Sequence, residues 1–413
     1  MVLGWGADDE RRVGRGDGKW AEVPSGQAVI PVRGAGARIG SRQGLAGLGW
    51  GRRPGPGVRV AASSLSARLW KVGVARSNIT PTNSLWMAGY AARTRPAEGK
   101  ATELWLKALA LQDTAGHRAV VVSADLLAIR GGLYRRCLPR LKEKFGLEPA
   151  QILLTASHTH CGPLRSNRRG SLGGLAAKDR GLTGEYEAAL EEKIIQTAGR
   201  ALAALAPARL VAGGGKTDFA ANRRNNRESE RVRLAAEGAL AGPVDHAVPV
   251  LGAYRPDGKV RAVLFGYACH NTTLTGSFCQ WCGDYAGFAQ AVLEKSHPGA
   301  MAVFFVGCAG DQDPLVRGSL DLARRYGQKL AGAVEEDLNE PCPALVSPLW
   351  GYEGCQAMKV LGLPALRWAD DVEELATAGA RRLVKQVNGR QSGWLNLFGF
   401  PTRLGDGMPP AFN

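Results

Sequence analysis

The chain is poor in histidine, with six in 413 residues, and it has no long apolar run. No segment approaches the roughly 18 uninterrupted apolar residues of a membrane-crossing helix, so no transmembrane span is expected. The first dozen residues lack the apolar core of a secretory signal and turn acidic at Asp8-Asp9-Glu10. As written, that keeps the protein in the cytoplasm, and a true start elsewhere would make it secreted. Eight cysteines spread over more than half the chain do not make a small disulfide scaffold. Cys279-Gln280-Trp281-Cys282 is a single C-x-x-C with no second half to complete a structural zinc site. Aromatic residues are 7% of the total and do not interleave with basic ones. The formal charge of +16 therefore comes without the stacking platforms of a nucleic-acid surface, even at its densest cluster, Arg223-Arg224-Asn225-Asn226-Arg227. Net charge alone speaks only to non-specific association, and nucleic acid is not expected as a partner.

A periodic apolar pattern is missing from residues 1–65, which are rich in Gly, Arg, Ser and Pro. Such a segment cannot bury enough apolar surface to offset its ordering entropy, and it is expected to be a disordered leader. Order is expected from about Leu69-Trp70-Lys71-Val72. From there strand-like runs alternate with amphipathic helical patterns at 185–205, 285–295 and 319–338. The alternation predicts an α/β domain over residues 66–340, a mixed sheet flanked by helices. Residues 341–413 read as an incomplete C-terminal part of the same domain, with one helix at 372–387 and loop from Asn388. No internal repeat is visible.

What the chain does have is a set of apolar runs that end in His or Asp. Gln151-Ile152-Leu153-Leu154-Thr155-Ala156 leads into Ser157-His158-Thr159-His160, then Cys161-Gly162-Pro163. The strand is expected to run through the histidines and end at Cys161-Gly162-Pro163, so side-chain alternation puts His158 and His160 on one face, where two imidazoles can pinch a metal. Val260 to Ala268 delivers His270, after a hairpin turn at Pro256-Asp257-Gly258-Lys259. Ala119 to Ala124 delivers Asp125. Ala302 to Val306 runs into Gly307-Cys308-Ala309-Gly310-Asp311-Gln312-Asp313-Pro314. In α/β sheets ligands gather beyond the carboxyl ends of strands, so these residues are expected around one crevice. The structural alternative is that the histidines only hydrogen-bond to loops, and that Asp313 caps its own turn.

These stretches resemble the catalytic domain of the neutral/alkaline non-lysosomal ceramidases. Val74-Ala75-Arg76-Ser77-Asn78-Ile79-Thr80-Pro81 with Trp86-Met87-Ala88-Gly89-Tyr90 is similar to the family's opening. Ser157 to Pro163 matches its T/S-H-T-H-[SC]-G-P signature, Ala268-Cys269-His270-Asn271-Thr272 its second zinc-histidine segment, and Gly310 to Pro314 its G-D-x-[SND]-P turn. The likeness runs over about residues 70 to 340, in order. It implies a Zn2+ cofactor, His158 and His270 as metal ligands, and His160 beside the scissile amide. Arg223 then stands in the site. Asn222 beside it and Asp125 at its strand end are expected to bind substrate, and Asp311 and Asp313, in the glycine-rich turn after a buried strand, to be catalytic carboxylates. The implied substrate is a small-molecule or lipid amide, with peripheral contact to a membrane in the lipid case.

Two departures qualify the carry-over. Ceramidases show Ser where this chain has Asp313, so a serine-dependent step does not transfer. The family also completes its zinc shell with a downstream Glu and Tyr, and has a C-terminal sandwich domain. This chain stops at Asn413, with Pro401 to Gly407 resembling the approach to the Glu-bearing strand, which implies a truncated reading of a longer protein. Two other readings remain open at this point. One is a binding fragment with impaired catalysis. The other is a metal-dependent esterase or phosphoesterase using Asp125, His158, His160, His270, Asp311 and Asp313.

Overall fold

The computed structural model describes residues 70–165, 175–340 and 344–345. The predicted leader, the helix at 372–387 and the tail from Asn388 lie outside the described residues.

The first half of the fold runs β1 (Trp70–Asn78), β2 (Gly99–Lys100), β3 (Trp105–Gln112), β4 (Arg118–Ala124), α1 (Gly131–Phe145), β5 (Ile152–Ala156) and α2 (Ala177–Ala203). The second begins with β6 (Ala206–Lys216), β7 (Ala220–Asn222), α3 (Arg231–Ala236), β8 (Ala247–Tyr254) and β9 (Val260–Tyr267). It continues with β10 (Gln280–Trp281), α4 (Asp284–Ser296), β11 (Met301–Val306), β12 (Gln312–Pro314) and α5 (Leu320–Asn339). Eight strands form one sheet in the order β11-β9-β8-β6-β1-β3-β4-β5. Only the outermost pairs, β4 with β5 and β9 with β11, are parallel. The expected mixed sheet flanked by helices is thus present, with α2 starting eight residues before the predicted Glu185.

The sheet does not lie open. Its halves are joined through only three residue pairs between β1 and β6, and they face one another. Trp70, Val72, Leu109, Leu111 and Val121 of the first half pack against Leu251, Ala262, Leu264, Met301 and Val303 of the second. Two polar links cross this layer: the Ser123 hydroxyl donates to the Phe304 carbonyl, and the Lys107 ammonium donates to the Ala302 carbonyl at 2.9 Å. The outer face of one half is covered by α1 and α2, that of the other by α4 and α5. The result is four layers, α/β/β/α. Strands covered on both faces read as continuous apolar runs, which is why Val120-Val121-Val122 carries no polar alternation. The hairpin of β8 and β9 closes as expected, with Gly258 at φ 84. Ser319 caps α5, its hydroxyl accepting from the Leu322 N–H at 3.2 Å.

Leaving out the short strands and α3, both halves follow one sequence of elements, β-β-β-α-β-α, with the same pairing. The internal repeat is topological and leaves no mark in the residues. Because the parallel pairs end at a common rim, four strand ends converge there. Among the described residues, no helix is long and apolar enough to cross a membrane.

Candidate metal centre

Strand β5 stops at Ala156, before the histidines. Strand alternation therefore does not bring His158 and His160 together, contrary to the sequence expectation. His158 instead takes a left-handed backbone, φ 60, which is unfavourable for a side chain with a Cβ. Neighbouring bonds enforce it. The Ser157 N–H donates to the Ala124 carbonyl at 2.9 Å, and the Thr159 hydroxyl donates to the Cys282 carbonyl at 2.7 Å. His270 is held more simply, its N–H donating to the Gln312 carbonyl at 2.8 Å.

These turns bring His158, His160 and His270 into one cluster, with one ring nitrogen from each lying within 4.8 Å of the others. The His158 and His270 ring centroids are 4.5 Å apart. His158 Nδ1 lies 2.7 Å from the Leu127 carbonyl and His270 Nδ1 lies 2.6 Å from that of Ala309. A carbonyl only accepts, so both Nδ1 atoms carry the hydrogen and both Nε2 atoms present a bare lone pair. Backbone carbonyls that fix the tautomer in this way are the usual outer support of a metal-binding histidine.

His160 Nε2 lies 3.5 Å from His158 Nε2. The buried Nδ1 of His160 has no partner among the described residues. Its ring fits only because residue 89 is glycine: a Cβ there would stand 2.4 Å from His160 Cγ, and φ is +93°. Tyr90 packs on the same ring at a centroid distance of 4.9 Å, and Arg93 donates to the His160 carbonyl at 3.0 Å.

Burial lowers the pKa of all three imidazoles. Like-charge neighbours push His160 and His270 further, and Arg223 adds to the depression at each of the three. All are neutral near pH 7, the protonation state that metal ligation requires. Two bare, pre-oriented Nε2 atoms fit a borderline-soft divalent ion.

A guanidinium group flanks the cluster. Short strand β12 pairs with β7 so that Asp313 faces Ala221 and Gln312 faces Asn222, which places Arg223 next to the Asp311–Asp313 turn. Arg223 donates Nη2 to the Gly310 carbonyl at 3.0 Å and Nη1 to Asp313 Oδ1 at 3.4 Å. Arg231 and Arg317 stand 3.7 and 3.9 Å from Asp313 Oδ2, and the Thr272 hydroxyl reaches Oδ1 at 3.3 Å. Arg317 also donates to the Tyr90 hydroxyl at 2.8 Å. Burial raises the Tyr90 pKa despite that cation, so the phenol stays protonated.

The remaining predicted residues sit behind these. Asn222 is buried, donates to the Pro243 carbonyl at 3.0 Å and to Asp311 Oδ2 at 3.2 Å, and accepts from the Arg224 N–H at 3.0 Å. It organises the turn that carries Arg223. Burial raises the Asp311 pKa. Asp125 is buried as well, its Oδ2 accepting from the Trp105 N–H at 2.9 Å, and desolvation raises its pKa.

Sequence reasoning missed Gly89, Tyr90, Arg231 and Arg317 as parts of the site. Gly89 and Tyr90 lie in a stretch already singled out, and Arg317 follows Asp313 by four positions. Arg231 had no local signal.

A four-layer α/β fold with a buried imidazole centre at the strand ends defines the class of protein. The family described as neutral/alkaline non-lysosomal ceramidase, N-terminal, matches residues 70–328, and the chain belongs to it. It is 26% identical over 255 residues to the neutral ceramidase of Pseudomonas aeruginosa, covering 59% of this chain and 37% of that protein. It is 31% identical over 102 residues to the neutral ceramidase of Drosophila pseudoobscura pseudoobscura, covering 24% of this chain and 14% of that one. A solved ceramidase complexed with C2 superposes with a TM-score of 0.58 at 22% identity, covering 68% of this chain and 46% of that chain. The crystal structure of the Pseudomonas aeruginosa enzyme gives 0.58 at 23% identity over the same shares. These likenesses agree on the fold. The chain spans less than half the length of each of these proteins.

Proposed function

We propose that this chain carries the catalytic part of an amide hydrolase, cleaving the bond between a fatty acyl group and an amine in a ceramide-like or other N-acyl lipid. The observation that carries the reading is the pair of bare, converging Nε2 atoms of His158 and His270, each fixed by a backbone carbonyl behind it. These two residues would hold the metal, and zinc suits their donor type. A bound ion supplies an activated water near neutral pH and polarises the amide carbonyl.

The chain's own residues supply the rest. His160, neutral at rest, takes the proton released by the attacking water and passes it to the leaving amine nitrogen, returning to the neutral imidazole. The Arg223 guanidinium stabilises the negative charge that develops on the amide oxygen. Asp313 anchors Arg223, while Asn222 and Asp311 shape the turn that presents it. Asp125 supports the strand ends from within. Tyr90 and the buried walls exclude water from the imidazoles. A lipid amide would be drawn from a membrane surface by peripheral contact.

The test is metal content and activity measured together on the purified chain. Wild type should hold close to one zinc and release fatty acid from an N-acyl amide in preference to a matched ester or phosphoester. His158→Ala and His270→Ala should lose both properties. Unchanged zinc content in both variants would refute the metal role, and faster cleavage of the ester or phosphoester would refute the amide reading.

A further inference from the structure

The guanidinium flank holds more positive charge than its own carboxylates answer. Arg231 is 3% exposed, and its Nη1 has no partner among the described residues. Its ion pair is with Asp313, at 3.7 Å. Arg223 and Arg317 draw on that same carboxylate, at 3.4 and 3.9 Å. All three separations exceed the roughly 2.7–2.9 Å of a charge-assisted hydrogen bond. Arg317 has a second carboxylate, Glu228 at 3.0 Å, and Arg223 directs its other donors to the Gly310 carbonyl. Among the described residues, Arg231 has a 3.4 Å bond from Nε to the Asn226 carbonyl and nothing more besides its shared ion pair. A buried guanidinium requires a close anion, and a single carboxylate 3.4–3.9 Å from all three leaves Arg231 without one. The group also abuts the imidazoles: Arg223 depresses the pKa of all three histidines, and Arg317 that of His160.

We propose that the Arg223–Arg231–Arg317 group receives an anionic group of the substrate, a carboxylate or a phosphate, so that the amides taken by this site are acidic ones. The planar forks of guanidinium suit both anions bidentately. Arg231 is the specificity-determining residue, because its unpaired Nη1 is satisfied only when the second anion arrives. This inference rests on the amide-hydrolase reading and narrows its substrate class.

The experiment compares matched probes with the same acyl chain. N-lauroylglycine is set against N-lauroylglycinamide, and N-lauroylphosphoethanolamine against N-lauroylethanolamine, following laurate release and, separately, binding by calorimetry. At least one acidic probe should exceed its neutral partner ten-fold or more in kcat/KM and in affinity, and the pair that does so tells carboxylate from phosphate. Arg231→Gln should reduce that ratio below three-fold, and Arg231→Lys should restore part of it. Equal or better use of both neutral probes overturns the inference, as does an Arg231→Gln variant that lowers both members of a pair alike. If no probe is hydrolysed while an acidic one still binds ten-fold tighter through Arg231, the hydrolase reading falls and the anion site stands. Melting curves accompany each variant. Should Arg231→Gln fail to fold, the wild-type ratio and its decline with added salt decide the matter.

Discussion

The two halves of the sandwich share one topology and use it differently. In each, the third and fourth strands of the repeat end at the common rim. The first half places Asp125 after its third strand and His158 after its fourth. The second places His270 after its third and the Asp311–Asp313 turn after its fourth. Equivalent positions thus hold Asp125 and His270, yet one is locked beneath the strand ends by the Trp105 N–H and the other joins the imidazole cluster. Topology supplies four openings, and side-chain identity with loop path decides which of them reach the site. The contrast also separates tasks. The first half contributes two imidazoles and the aromatic wall, whereas the second contributes one imidazole and all three arginines around Asp313.

The most severe way to break this division is to remove an imidazole from either half. His158→Ala and His270→Ala should each cost at least about 100-fold in metal affinity, the share of one ligand in a zinc site's binding energy. Equilibrium titration with a zinc indicator measures it, and a large loss in only one variant would show that the halves do not share the ion.

Gly89→Ala attacks the first half without touching either proposed ligand. The new Cβ meets the His160 ring at 2.4 Å. Stability should fall by about 1–3 kcal/mol from strain, and turnover by about 100-fold if His160 serves in proton transfer. Zinc content should hold. Thermal denaturation, metal analysis and steady-state kinetics separate these effects, and loss of zinc together with turnover would make His160 a ligand instead.

Asp313→Asn does the corresponding damage to the second half. It keeps the shape but removes the charge that gathers the arginines, and should cost at least ten-fold in amide hydrolysis, about 1.4 kcal/mol, with folding and zinc intact. Full activity in Asp313→Asn together with unfolding of Asp313→Ala would make the residue purely structural.

The smallest expected effect is on pH. The folded imidazoles titrate below their ordinary 6.5, so below that value the unfolded chain binds protons that the folded chain refuses. Stability is therefore complete above about pH 6.5 and declines as pH falls toward the depressed values. Metal-free protein melted between pH 7.5 and 5, ranges chosen around the unperturbed histidine pKa of roughly 6.5, should lose stability on acidification, and His160→Gln should flatten that decline.

Much of the site was legible because the strands that carry it are buried on both faces. Continuous runs such as Val120-Val121-Val122 and Phe304-Phe305-Val306 announce themselves, and His158, His270 and the Asp311–Asp313 turn follow directly. The reason offered for pairing His158 with His160 failed, since the strand ends at Ala156 and a left-handed residue makes the turn. A positive φ at a non-glycine residue leaves no trace in composition or period. Arg231 was hidden for a related reason: its partner, Asp313, lies 82 positions away, and no local pattern encodes such a distance.

The sequence by itself determined the α/β class, the strand ends bearing His and Asp, and the family signature, because each depends on residues close together in the chain. Only the tertiary structure decided that the sheet doubles over into two facing halves, so that the His158 and His270 loops meet at one rim. It alone placed Gly89 against His160 and gathered three arginines around one carboxylate. Contacts of that kind are made when long-range burial closes the sandwich, and the free energy that selects them belongs to the packed layers and not to any single segment.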